Sequence, residues 1–330
     1  MREFFYAFRS SAVFVGTVIG VGFATGEEIK VYFGSGSLFS VILSAFFFGV
    51  MSTIFMLFGK VEPLKVSKRM NKVASIIKIF VLMISFLAMT AGAEDILYFL
   101  TGFKGGGILT FFACYFILKN RYDNLKILNL VIVPIIFILL ICVFIKVEYV
   151  YKNGKNEILS SFLYATMNVY SAGMIISEEG KKMSIKQIIM SSMFTTIIIG
   201  GLMVCIKLIV NFSFGEMPLL IASKNVGCGT IAGIMIYLAI FTTMLGDIVL
   251  IHPQLKNYFK KDVFVLSLFC VAIILAGVIG FSQIVERGYP IIGVCGAGYL
   301  VYAVLSLMLS RSKFLFKKSN KCVHSSGKST

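Results

Sequence analysis

Apolar residues in this chain run unbroken for most of twenty positions at a time, and polar residues gather between the runs. A helix needs about 20 apolar residues to cross a hydrocarbon layer about 30 Å thick. Ten stretches meet or approach that length: 11–33, 37–58, 79–100, 105–118, 127–147, 158–178, 187–212, 229–251, 263–282 and 289–310. The fourth is short; it either extends back past Lys104 toward Gly102 or re-enters the membrane without crossing it. Membrane β-barrels instead alternate polar and apolar residues in segments of about ten, a pattern missing here. The expectation is an all-α integral membrane protein of about ten transmembrane helices.

Composition agrees. Of 330 residues, 58% are hydrophobic and 14% charged, and mean hydropathy is +0.93. Soluble domains run near 45–50% apolar and about 25% charged, so lipid is the expected solvent. The net charge of +16 is a matter of topology, not nucleic-acid binding. With the N-terminus inside, ten spans place 1–10, 59–78, 119–126, 179–186, 252–262 and 311–330 in the cytoplasm. Most Lys and Arg residues fall there, as the positive-inside rule requires. The exceptions are Lys30, Lys104, Lys146, Lys152, Lys155, Lys207, Lys224 and Arg287, all but Lys207 in or beside outer loops. Omitting the fourth span would invert every later loop. The basic N-terminus followed by an apolar stretch resembles a signal peptide, but glycines and Glu27–Glu28 replace a cleavage site, so a retained helix is expected. The expected organisation is 1–10 inside, spans one to five over 11–147, spans six to ten over 158–310, and a basic cytoplasmic tail over 311–330. Short loops and the lack of a soluble domain suggest a bacterial plasma membrane. Seven scattered cysteines show no metal or CxxC spacing and read as packing residues; His252 and His324 match no ligand set.

The first span reads Gly16-Thr17-Val18-Ile19-Gly20-Val21-Gly22-Phe23-Ala24-Thr25-Gly26-Glu27-Glu28. Glycine costs a helix about 1 kcal/mol relative to alanine, and here it recurs near mid-membrane. Gly16-x-x-x-Gly20 and Gly22-x-x-x-Gly26 fit close helix packing. They equally fit an interrupted helix whose freed amides and carbonyls face a cavity, the one place where unpaired backbone survives at that depth. The sixth span carries a second polar, small-residue patch, Asn168-Val169-Tyr170-Ser171-Ala172-Gly173. Spans one and six open two halves of five helices, which are therefore oppositely oriented. Interrupted helices at matching positions of such halves point to a transporter binding site.

The stretch 16–29 resembles the first helix of the YkvI-like bacterial membrane proteins, of the amino acid–polyamine–organocation superfamily. That resemblance implies a LeuT-type 5+5 inverted repeat with helices one and six interrupted. It also implies a substrate site: amides of Gly20, Val21, Gly22, Phe23, Ala24, Thr25 and Gly26 for a carboxylate, with polar contacts from Asn168 and Ser171 and with Tyr170 gating or packing. It further implies a Na+ site made of Gly16 and Ile19 carbonyls with Ala239, Thr242 and Thr243 of span eight, which share a helix face. Oxygen ligands suit a hard cation, although paired threonines also simply bond back to their own helix.

Ionisable residues inside a membrane are candidates for function. Asp247 lies one turn from Thr243 and either completes a cation path or sits hydrogen-bonded near the inner exit. Glu27 and Glu28 follow the break, meeting a substrate amine or a proton, or else sitting hydrated at the outer mouth. Lys207 is expected to snorkel to the interface, with pairing to Glu94 or a coupling role as the sharper idea. Glu178 and Glu179 read as solvated end charges beside Lys181 and Lys182. Together these features suggest a secondary transporter of a small amino acid or related amine, with Na+ favoured over H+ as coupling ion and no resident cofactor. A receptor that binds the same ligand without turnover is the alternative. No Walker A motif, HExxH or Ser/His/Asp set supports an ATPase or an enzyme. Partners are a small solute and the bilayer, with oligomeric state open.

Overall fold

The computed structural model describes residues 2–61, 67–118, 122–147, 154–210 and 217–326. The end of the expected seventh span at 211–212, loop residues such as Lys119, Arg121 and Lys152, and the last four residues lie outside that set, as do the side chains of Cys322 and His324. The described residues are almost entirely helical: α1 (Arg2–Val18), α2 (Val21–Thr25), α3 (Glu27–Phe33), α4 (Leu38–Phe58), α5 (Lys68–Thr101), α6 (Gly106–Leu118), α7 (Tyr122–Lys146), α8 (Ile158–Gly180), α9 (Ile185–Val210), α10 (Pro218–Asn225), α11 (Gly229–Lys256), α12 (Asp262–Ile279), α13 (Phe281–Gln283) and α14 (Tyr289–Ser326). A π-helical turn, Ile284–Gly288, joins the last two.

Seven described helices are long and apolar enough to cross a membrane: those at 38–58, 71–101, 125–146, 185–210, 229–256, 262–279 and 281–310. Their outward surfaces are oily. On α12, Val263, Phe264, Val271, Ile274 and Val278 are exposed, a face only lipid would cover. The chain is a multi-pass membrane protein. The other three expected spans fall short of that test. The first is split into α1–α3. The fourth begins at Gly106 and has 13 residues, so it does not extend back past Lys104. The sixth, α8, carries the polar patch.

The architecture places α1, α8 and α11 at the centre. α1 packs on α7, α8 and α9, and α11 on α5 and α7, while α4 bridges α8 and α9. Small residues allow close approach. A methyl group at Gly180 or Gly59 would strike the Met56 or Ser177 carbonyl, which locks α8 to α4. One isolated parallel bridge, Gly36 with Lys155, ties the segment after α3 to the segment before α8. Ser37 Oγ donates to Asn156 Oδ1 (2.6 Å) and Ser35 Oγ to Glu157 (2.9 Å), so this end is laced shut by short polar contacts. At the opposite end of α8, Lys126 and Glu179 form a buried ion pair at 2.5 Å. Glu179 is therefore not the solvated charge expected of it: it is buried, and Lys126 of α7 pairs with it. Glu178 does match that expectation, pairing in the open with Lys181.

Candidate functional site

The first span breaks where its glycines permit. The last regular bond of α1 is Ile19 N to Val15 O. Gly20 then turns extended (φ −88°, ψ −171°), and its amide reaches back only two residues to Val18 O. Helicity resumes for five residues in α2 and stops again at Gly26, which is left-handed at φ +80°. Glycine enters that region without the penalty a Cβ imposes. Space forbids another residue as well, since a Cβ at Gly26 would lie 2.5 Å from Val210 Cγ2. The carbonyls of Gly16, Thr17 and Ile19 are thus left without the amides a continuous helix would supply.

Span eight fills part of that gap. Thr243 Oγ1 lies 3.0 Å from Ile19 O, 3.3 Å from Gly16 O and 3.4 Å from Thr17 O. Thr242, on the same face, donates to Ala239 O at 3.0 Å. Thr243 has thus left its own helix for α1, while Thr242 back-bonds as threonines often do. Gly16, Ile19 and Thr243 accordingly form one buried oxygen-rich contact between the first span and α11, while Thr242 and Ala239 bond to each other within α11. Beside it, the buried Asn129 of α7 packs on Gly16, a Cβ there falling 2.5 Å from Asn129 Oδ1, an atom with no hydrogen-bond partner.

Adjoining this contact is a cavity of about 40 Å³ lined by Thr17, Gly20, Glu28, Asn168, Tyr170, Ser171 and Thr243, with Ser85, Met89, Met167 and Tyr289. A water needs roughly 10–15 Å³ on this measure, so there is room for about three, or for an ion with part of its shell. A second space of about 660 Å³ lies among α5, α8, α11 and α14, lined by Asn71, Lys78, Gln254, Cys295, Tyr299 and Tyr302. Tyr170 borders both, so its ring partitions them. That ring leans edge-on against Tyr299 at 5.7 Å.

The sixth span corrects an expectation, because α8 runs through 168–173 without interruption. Two of its polar side chains bond back within the helix, Asn168 Nδ2 donating to Tyr164 O at 3.1 Å and Thr166 Oγ1 to Leu163 O at 2.9 Å, and Thr166 Oγ1 also lies 3.2 Å from Gly293 O of α14. The patch has one glycine, Gly173, used to seat Phe55. Polar composition resembled a break, but span six has a single glycine in its patch where span one has Gly16, Gly20, Gly22 and Gly26. Asn168, Tyr170 and Ser171 nonetheless face the cavity.

The charges also resolve. Glu28 and Glu27 are 2% and 4% exposed, so neither is hydrated at a mouth. α3 turns Glu28 back so that its carboxyl lies against Gly22, beside the Phe23 amide and the side chains of Tyr164 and Asn168. Its Oε2 has no hydrogen-bond partner. Of the α2 residues expected to offer amides, Val21, Gly22, Phe23, Ala24 and Thr25 are buried, and Glu28 covers that face. Asp247 is fully buried; Ser85 Oγ donates to its Oδ2 at 2.7 Å, and its Oδ1 has no hydrogen-bond partner. Lys207 neither snorkels nor meets Glu94. It is 2% exposed and donates to the carbonyls of Phe33 and Gly34, the latter at 3.3 Å, so a cation sits at the C-terminal end of α3. Glu94 instead accepts from Gly105 N (2.7 Å) and Gly107 N (3.0 Å), capping α6. Sequence reasoning missed Ser85, Met89, Asn129, Tyr164, Met167 and Tyr289. Of these only Tyr164, one turn before Asn168 on the same face, carried a signal. Among the described residues no three His, Cys, Asp or Glu cluster as metal ligands.

Comparison with known proteins places this geometry. No protein-family model matches the chain. An uncharacterised membrane protein of Bacillus subtilis, YkvI, is 21% identical over 327 residues, covering 87% of this chain and 92% of its own. Crystal structures of two variants of the manganese transporter of Eremococcus coleocola superpose with TM-scores of 0.61 and 0.56 at 13% identity, covering 93% of this chain and 78% of theirs. The chain therefore shares its helical membrane fold with a solved transporter.

Proposed function

We propose that this protein is a secondary active transporter of a small amino acid or related amine, coupled to a cation, with Na+ favoured over H+. In this reading its ten spans form a LeuT-type 5+5 repeat, with both termini cytoplasmic in a bacterial plasma membrane. The observation that carries the proposal is the convergence of Thr243 Oγ1 with the freed carbonyls of Gly16 and Ile19. Carbonyl and hydroxyl oxygens, with no nitrogen or sulfur among them, suit a hard monovalent cation. A site bridging a broken helix and a facing helix changes shape when those helices move, and alternating access needs that property. The 660 Å³ space beyond Tyr170 serves as the inward vestibule, and the laced segments at Ser35–Ser37 and 154–157 as the closed outer face.

The solved neighbour transports manganese, so that cargo is tested beside amines. Thermal stabilisation of the purified protein is measured over amino acids, amines and Mn2+, with and without Na+. The proposal expects stabilisation by an amine-bearing solute that strengthens with Na+. Stabilisation by Mn2+ alone, indifferent to Na+, would replace it with a metal carrier. Specific binding without accumulation in proteoliposomes under any ion gradient would make the protein a receptor.

A further inference from the structure

The cavity is asymmetric in charge. Glu28 is an ionisable carboxyl on its wall, and among the described residues no Lys, Arg or His lines it. The groups around that carboxyl are neutral at ordinary pH: Tyr164 and Asn168 from α8, Tyr32 on its own helix and Tyr289 from α14. Glu28 is 2% exposed, and its Oε2 has no hydrogen-bond partner. The buried Tyr164 hydroxyl lies beside the carboxyl and is neutral. A carboxylate removed from water with only neutral groups around it is costly, and a bound positive charge relieves that cost. Nor is the broken helix free to receive a carboxylate. α2 has only five residues, too few for a developed dipole, and the protein's own carboxyl lies against Gly22.

Resting on the transporter reading but narrowing its substrate, we propose that Glu28 binds the substrate's ammonium group, so that the site selects cationic amines and tolerates, without requiring, a carboxylate. Asn168, whose Nδ2 donates to Tyr164 O, offers its Oδ1 to the ammonium as a second acceptor. The Met89 and Met167 side chains and the Tyr289 ring supply the apolar wall for the amine's carbon chain. Sodium at the Thr243 contact would be a second charge, held by oxygens of Gly16, Ile19 and Thr243 and not by Glu28.

The test uses purified full-length protein and three probes of similar size: n-butylamine, alanine and butyrate. Binding is read by calorimetry in saturating Na+. Butylamine and alanine are expected to bind and butyrate not. Glu28→Gln should weaken butylamine by about 30-fold or more, as expected when one partner of a buried charge pair is removed. Glu28→Asp, which keeps the charge, should weaken it less. Wild-type helical content and a cooperative thermal melt report whether each variant is folded. Unchanged butylamine affinity in folded Glu28→Gln, no binding of either amine to wild type, or binding of butyrate overturns the assignment. So does loss of the pH dependence of uptake with amine affinity intact, which would make Glu28 a proton site. Binding is read without turnover, so a failure of transport leaves this result standing.

Discussion

Replacing Thr243 by valine removes one hydroxyl and preserves the shape of the side chain, so no cavity confuses the result. In the folded protein that hydroxyl is within 3.4 Å of three carbonyls, Gly16, Thr17 and Ile19. Its single proton serves one of them at a time. The loss is therefore that of one buried hydrogen bond, leaving an acceptor unsatisfied, about 1–3 kcal/mol. In Na+ the same oxygen is one of five expected ligands, and a penalty of that size weakens affinity about 5- to 150-fold. The assay is the melting temperature of purified protein titrated with NaCl at constant ionic strength, balanced with choline chloride. Ligand at 100 times Kd stabilises by about 2.7 kcal/mol, so the wild-type rise is measurable. Thr243→Val should melt lower in choline and shift its Na+ midpoint upward at least fivefold; Thr243→Ser should keep most of the wild-type response. A wild-type Na+ midpoint in Thr243→Val would refute the reasoning, because the hydroxyl would then be a packing contact alone.

Three further outcomes follow from individual contacts. Gly26→Ala places a Cβ both in the left-handed region and against Val210, and should lower stability by about 2–4 kcal/mol, seen as a fall in melting temperature. Lys207→Met removes a charged donor from the last carbonyls of α3 and should cost about 1.5–3 kcal/mol while leaving the Na+ midpoint unchanged; a shifted midpoint would argue that Lys207 takes part in ion binding. Breaking the buried Lys126–Glu179 pair with Lys126→Met should cost about 3–5 kcal/mol, and Lys126→Met with Glu179→Leu should recover much of it in a thermal melt.

What the sequence discloses depends on how local each cause is. Helices appear as apolar runs because lipid imposes that pattern residue by residue. The break in span one is legible because Gly16, Gly20, Gly22 and Gly26 cluster within a single stretch. The same reasoning misread span six, where Asn168 and Thr166 satisfy themselves on their own helix one turn back. Polar residues alone do not open a helix. The Thr242–Thr243 pair was visible as a helical face, but which threonine turns outward was not. That choice depends on carbonyls 224 and more residues earlier. Lys207 was misjudged for the same reason, since its acceptors on α3 lie 174 residues away. Glu94 has its partners close by in sequence, yet the cap became legible only once α6 was seen to start at Gly106. Ser85 and Asn129 are single polar residues inside apolar runs, and nothing in their neighbours marks them.

Transport driven through the contact between the broken helix and span eight is the central claim. Its most direct test is accumulation of a radiolabelled amine substrate in proteoliposomes, under an inward Na+ gradient and with that gradient collapsed. Wild-type protein is predicted to concentrate the label above equilibrium only with the gradient, and Thr242→Ala with Thr243→Ala to equilibrate at most. Equal accumulation by that double variant, or accumulation that ignores Na+ altogether, would contradict the account.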